Sequence, residues 1–235
     1  MFKAFKQIFA DRNKDLRKRI MFTLGALTIF IVGTSIKVPG TKGIDSDLGF
    51  LELLNSMGGG ALKNGSIFGL GVMPYISGSI IIQLFSMGII PYFTDLAKEG
   101  YAGRRKLNTI TRYVGIFLAF IQGLILAAGI VKSGSDAFEY IRVSIILTAG
   151  TSFLLWIGDQ ITQKGVGNGL SLIIMAGIVA RLPYMFTEAF KTFILDNSNL
   201  FIGIVTFIVY IVIYLAIVVG FVFISESERR IPVQY

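Results

Sequence analysis

The chain contains no cysteine and no histidine. Without cysteine there is neither a disulfide nor a thiolate metal site. Without histidine the commonest catalytic base and metal ligand are gone, and no other catalytic or metal-ligating constellation stands out. No small-residue cleavage site closes the first apolar run, so the basic N-terminus does not read as a cleaved signal. No ionisable group stands out in mid-span, which argues against a secondary transporter built on broken helices around a coupling site. Such a transporter and a poreless insertase or scaffold are held as alternative readings.

What is present is apolar. Hydrophobic residues make up 54% of the 235, and the mean hydropathy is +0.72, too high for a soluble domain that must keep a polar surface. The class is an all-α, polytopic membrane helix bundle. The net charge of +8 could indicate nucleic acid, but in a membrane protein the placement of the charge decides. Residues 1–19 form a basic amphipathic segment, with Phe2, Phe5, Ile8 and Phe9 on one side, suited to anionic headgroups.

Six apolar runs follow: 20–36, 67–90, 113–131, 141–161, 170–182 and 200–225. Between the first two, Leu48–Met57 reads as a short amphipathic helix, too short to span, which Gly58, Gly59 and Gly60 then break. It is either an ordinary outer loop helix or a re-entrant segment. Residues 99–112 read as a basic loop with Tyr101, Ala102 and Gly103 at its tip. Asn168 is a candidate N-cap for the fifth run, which Pro183 closes. Asp159 and Lys164 read as a local pair. Residues 183–199 read as an external loop, and the sixth run is the best candidate for lipid exposure. Most of the 22 basic residues fall at 1–19, 91–112, 162–167 and 226–235. The positive-inside rule then puts both termini in the cytoplasm.

The second run is a poor lipid anchor. It carries Pro74, several glycines, hydroxyls and Gln83. Such residues need protein neighbours or a wet cavity to satisfy the backbone. On a helix, Val72, Ile76, Ser79 and Gln83 share a face that passes from aliphatic to polar, as a wall between a dry constriction and a wet vestibule would.

Four blocks, GVMPYISGSIIIQL (71–84), EGYAGRRKLNTITRY (99–113), GDQITQKGVGNGLSLIIMAGIV (158–179) and ERRIPVQY (228–235), closely resemble the SecY family of protein-translocation channels. The resemblance covers essentially the whole chain. That family has ten spans in two inverted halves of five, so the chain corresponds to its N-terminal portion: the first half, 20–182, plus the sixth span, 200–225. The resemblance implies a conduit that passes unfolded polypeptides across a bacterial cell membrane and releases hydrophobic segments sideways into lipid. It implies no cofactor and no enzymatic activity.

Site residues follow from the same resemblance. Val72, Ile76 and Ile174 match a ring of aliphatic side chains around the pore. The 51–64 helix matches the plug, with Leu51, Leu54, Met57, Gly58, Gly59, Gly60 and Leu62. Ser77, Gln83 and Gln122 are candidates for this half of the lateral gate. Arg104, Arg105, Lys106, Arg229 and Arg230 match partner-docking surfaces. The implied partners are SecE, SecG, the SecA motor or a ribosome, signal peptides and nascent chains, anionic lipids, and the remaining spans of the channel.

Overall fold

A computed structural model describes residues 14–43, 51–131, 136–195 and 200–227. The first thirteen residues and Arg229 and Arg230 lie outside the described residues, as do the side chains of Leu51 and Leu54. Eight α-helices are described: α1 (Lys14–Thr34), α2 (Leu51–Met57), α3 (Met73–Leu84), α4 (Pro91–Lys98), α5 (Tyr101–Ile130), α6 (Ala137–Lys164), α7 (Gly169–Phe190) and α8 (Leu200–Ser225). A π-helical turn, Phe85–Ile89, follows α3, and another, Lys191–Leu195, follows α7. Among the described residues the β pairing consists of two isolated antiparallel bridges, Lys37 with Ser66 and Thr41 with Val131.

Four helical stretches are long and apolar enough to cross a bilayer: Tyr101–Ile130, Ala137–Lys164, Gly169–Leu195 and Leu200–Ser225. The bent pair Met73–Ile89 and Pro91–Lys98 makes a fifth if counted as one span. The apolar part of α1, Ile20–Thr34, is about 22 Å long, short of ~30 Å of hydrocarbon. The chain continues beyond Thr34 in non-helical form, through the bridge at Lys37.

One helix, α5, buries a stripe of small residues and turns several of its large apolar side chains outward. On α5 the residues Thr111, Gly115, Ala119, Gly123 and Ala127, one every fourth position, are buried. In lipid, apolar side chains gain nothing by leaving one apolar medium for another, so close backbone approach provides the packing. A Cβ at Gly78 of α3 would sit 3.1 Å from the Gly115 nitrogen, and one at Gly115 would sit 3.0 Å from the Tyr75 Cα. The Gly78 Cβ would also lie 3.5 Å from the Thr111 carbonyl oxygen, so a step forward from Tyr75 to Gly78 is a step back from Gly115 toward Thr111, and α3 and α5 are antiparallel. Farther along α5, Gly123 abuts Ser144 of α6, whose hydroxyl donates to the Phe120 carbonyl at 2.8 Å. At the next hairpin, Gly158 of α6 and Gly169 of α7 lie backbone to backbone.

Several expected boundaries shift. The second span begins as helix only at Met73, with Pro74 in its first turn, where a missing N–H costs nothing. Residues 66–72 are turns instead. Gly71 adopts a positive φ of 57°, and its carbonyl accepts a hydrogen bond from the buried Thr151 hydroxyl at 3.1 Å. Irregular backbone is tolerated at membrane depth when protein covers it, and here Gly150 of α6 makes room for the Ile67 carbonyl. The stretch 101–112, expected as a loop, is the start of α5. The turn before it is confined to Glu99 and Gly100, the glycine at a φ of 74°, and Gly103 is not an exposed tip but lies buried against the Leu96 carbonyl. Pro183 does not end the fifth span. The helix runs to Phe190 and the π-helical turn to Leu195, so the described part of 183–199 is helical rather than a loop.

The chain divides into two compact units, residues 1–181 and 182–235. The first holds two apolar clusters. One gathers Phe30, Phe68, Val72, Leu154, Ile157, Ile161 and Ile173 with smaller neighbours; the other gathers Val38, Ile130, Val131, Val143 and Leu147 around Ala127. In the second unit α8 packs on Lys191–Leu195 through Gly203, which faces the Phe193 carbonyl. Ring pairs Phe186–Tyr214, Phe190–Phe207 and Phe193–Tyr210 extend that contact at 5.6 to 5.7 Å. Apart from Gly203 no described residue of α8 is buried within the chain.

Candidate pore wall and re-entrant segment

Val72 precedes the first turn of α3, and its carbonyl accepts from the Ile76 N–H at 3.2 Å. Its side chain is buried in the Phe30–Phe68–Leu154–Ile173 cluster. Ile76, one turn on, and Ile174, from α7, are half-buried and pack against the same cluster. The structure therefore brings the three expected ring residues into one apolar assembly from two different elements.

The segment between α1 and α3 leaves and returns at the same end of the bundle. The Val38 N–H donates to the Gly65 carbonyl at 2.9 Å and the Ile67 N–H to the Ile36 carbonyl at 3.0 Å, which fixes its return. Within it the helix covers only Leu51–Met57. Residues 58–64, expected as part of the same helix, are turns, because Gly59 and Gly60 take positive φ of 69° and 85°. Ala61 and Leu62 are buried, and Met57 is half-buried. The tip rests on α7. A Cβ at Gly177 would collide with the Met57 carbonyl and lie 3.1 Å from the Gly59 nitrogen.

Polar groups hold this excursion together. Asn55 is fully buried. Its Nδ2 donates to Glu52 Oε1 at 3.1 Å, its Oδ1 accepts from the Lys63 N–H at 2.9 Å, and its carbonyl accepts from the Gly60 N–H at 2.8 Å. Arg181 Nη2 of α7 donates to Glu52 Oε1 at 2.6 Å. Sequence reasoning passed over Glu52, Asn55, Gly177 and Arg181. Arg181 had a readable signal: it is a full charge in an apolar run, and such a residue needs a partner.

The expected gate residues do not form a cluster. Ser77 and Gln122 are half-buried and Gln83 is exposed. With Gly78 beside Gly115, antiparallel geometry separates Gln83 from Gln122 by about 18 Å along the helices. The basic residues Arg104, Arg105 and Lys106 are exposed on the first turns of α5, beside an exposed Tyr101. Asp159 pairs with Arg112 of α5 rather than with Lys164. Positions five apart on one helix point about 140° apart, which directs Asp159 away from Lys164.

An all-helical membrane bundle with a re-entrant segment resting on an apolar cluster defines the class of the protein. Comparison with known proteins gives the family. The SecY family model matches residues 66–235. The SecY translocase subunit of Staphylococcus epidermidis is 42% identical over 247 residues, and those of Bacillus subtilis and Halalkalibacterium halodurans are 43% and 44% identical over 247 and 248. Each match covers 100% of this chain and 57% of the relative. The chain belongs to the SecY family. Among solved structures, a protein-conducting channel superposes with a TM-score of 0.57 at 18% identity, over 78% of this chain and 39% of the other. Sec61 from a canine ribosome–channel complex gives 0.64 at 17% identity, over 92% and 49%. At these identities the likeness establishes the fold.

Proposed function

We propose that this chain forms the N-terminal part of the wall of a protein-conducting channel, passing unfolded polypeptides across a bacterial cell membrane and releasing hydrophobic segments sideways. The observation that carries the reading is the convergence of Val72, Ile76 and Ile174 on one apolar cluster, with Ala61 of the re-entrant segment in the same cluster. An aliphatic constriction can close around a threading peptide and, when empty, exclude ions by dewetting. The remaining spans of the channel supply the rest of the ring. Residues 51–64 act as the plug, and Ser77, Gln83 and Gln122 belong to separate levels of the gate-facing surface rather than to one contact.

The N-terminus lies in the cytoplasm. Arg104, Arg105 and Lys106, with Arg229 and Arg230, meet a SecA motor or a ribosome; against ribosomal RNA their charge would gain from counterion release. SecE and SecG complete the assembly, and anionic lipids meet residues 1–19. The test is resting ion conductance of the complete channel in a planar bilayer. Serine at Val72, Ile76 and Ile174 together should raise it by about tenfold or more, because a hydroxyl ring wets where an aliphatic one does not. Unchanged conductance with normal accumulation would remove the basis for a pore at this cluster.

A further inference from the structure

The geometry points to a latch: the Glu52–Arg181 ion pair holds the re-entrant segment seated, and breaking it is the step that frees the segment to move. This rests on the pore reading above. On α7 the segment's backbone fits closely at Gly177: the Met57 carbonyl takes the space of a Cβ there, and a Cβ on Gly59 would sit 3.5 Å from the Gly177 Cα. Beside that contact lies a charged tie, Glu52 Oε1, which accepts from Arg181 Nη2 at 2.6 Å and from Asn55 Nδ2 at 3.1 Å.

Through Asn55 that oxygen is tied to the returning part of the excursion. Asn55 fixes Lys63 by its side chain and Gly60 by its carbonyl. Gly60 is itself shaped around the arginine: a Cβ there would sit 2.7 Å from Arg181 Nη1. The two partners are unequally enclosed. The Arg181 side chain is 11% exposed and the Glu52 side chain 41%. The guanidinium is therefore fixed within α7, while the carboxylate can take up water as it departs. A buried charge that loses its partner is strongly disfavoured, so the seated state is held. The half-exposed carboxylate keeps the opening path from carrying the full desolvation penalty of a buried pair.

The test uses this chain in the complete channel with its partner subunits. Arg181→Met should raise resting conductance at least about tenfold, because the charge-assisted hydrogen bond to Glu52 that it removes is worth about one decade or more in the seating equilibrium. It should also speed labelling of Met57→Cys by a membrane-impermeant maleimide added outside. Arg181→Lys keeps the charge and should stay near the parent. Glu52→Arg alone should leak, and the swap Glu52→Arg with Arg181→Glu should recover most of the seal. A residue that merely supports α7 would not be rescued by its exchanged partner. Parental conductance and labelling in Arg181→Met would overturn the latch, as would a swap or an Arg181→Lys channel that leaks like Arg181→Met. Leak from the Val72, Ile76 and Ile174 serine channel with silence at 52 and 181 rejects the latch alone, whereas silence in both rejects the pore as well.

Discussion

At the scale of single residues, this membrane bundle is specified by what is small and what is polar. Thr151 shows why. Its hydroxyl caps the Gly71 carbonyl in a fully buried site, at the point where the chain turns before α3. Thr151→Val preserves shape but leaves that carbonyl without the bond, at a cost of about 1–3 kcal/mol. The expected outcome is a lower unfolding temperature of the purified channel, with Thr151→Ser close to the parent. Val72, Ile76 and Ile174 could be singled out because the blocks at 71–84 and 158–179 carry the family resemblance; their meeting in one apolar cluster is a finding of the structure. Glu52, Asn55 and Arg181 were not, because their partners lie 129 residues apart for the ion pair and eight apart within a loop, and no periodicity links them. Asp159 was misassigned to its chain neighbour Lys164 for the same reason: separation along a helix was readable, but the antiparallel partner carrying Arg112 was not.

At the scale of elements, legibility varied from one boundary to the next. Asn168 reads as an N-cap, and its Oδ1 accepts from the N–H groups of Leu170 at 3.1 Å and Ser171 at 3.2 Å. Asn168→Ala should cost about 1 kcal/mol. Hydrogen exchange should quicken at Leu170–Leu172, with the middle of α7 unchanged; Asn168→Asp, which can still accept, should not show this. The other end of α7 defied its proline. A proline in water readily ends a helix because the freed carbonyl finds solvent. In an apolar surrounding the alternative to helix is worse, so the chain stays helical past Pro183 to Phe190. The second span erred in the opposite direction. Its hydropathy extends back to Ile67, but Gly69, Gly71 and Pro74 hold 66–72 in turns, and hydropathy alone cannot separate a buried turn from a helix.

At the scale of the first unit, hydrogen bonds sort its loops into two ends. Val38 with Gly65, Lys42 with Ile130, and Arg142 with the Pro39 carbonyl mark one end. Thr23 Oγ1, which accepts from the Val166 N–H at 3.1 Å, together with the Arg112–Asp159 pair, marks the other. Lysines and arginines are distributed unevenly between them. Among the described residues, Lys14, Arg17, Lys18, Arg19, Lys98, Arg104, Arg105, Lys106 and Lys164 accompany the second end, and Lys37, Lys42, Lys63 and Arg142 the first. The positive-inside rule favours an orientation with the basic end in the cytoplasm. On that proposed orientation the chain at Gly43 and at Gly65 lies at the outer end, and residues 51–64 would enter from outside. In membranes carrying the complete channel, Lys42→Cys should react with an impermeant maleimide added to intact cells. Tyr101→Cys, exposed at the basic end, should react only in inverted vesicles. Labelling of Tyr101→Cys from outside would reverse the orientation, and with it the side from which residues 51–64 could seal a pore, since a segment entering from the cytoplasm would meet an incoming chain before the constriction rather than behind it.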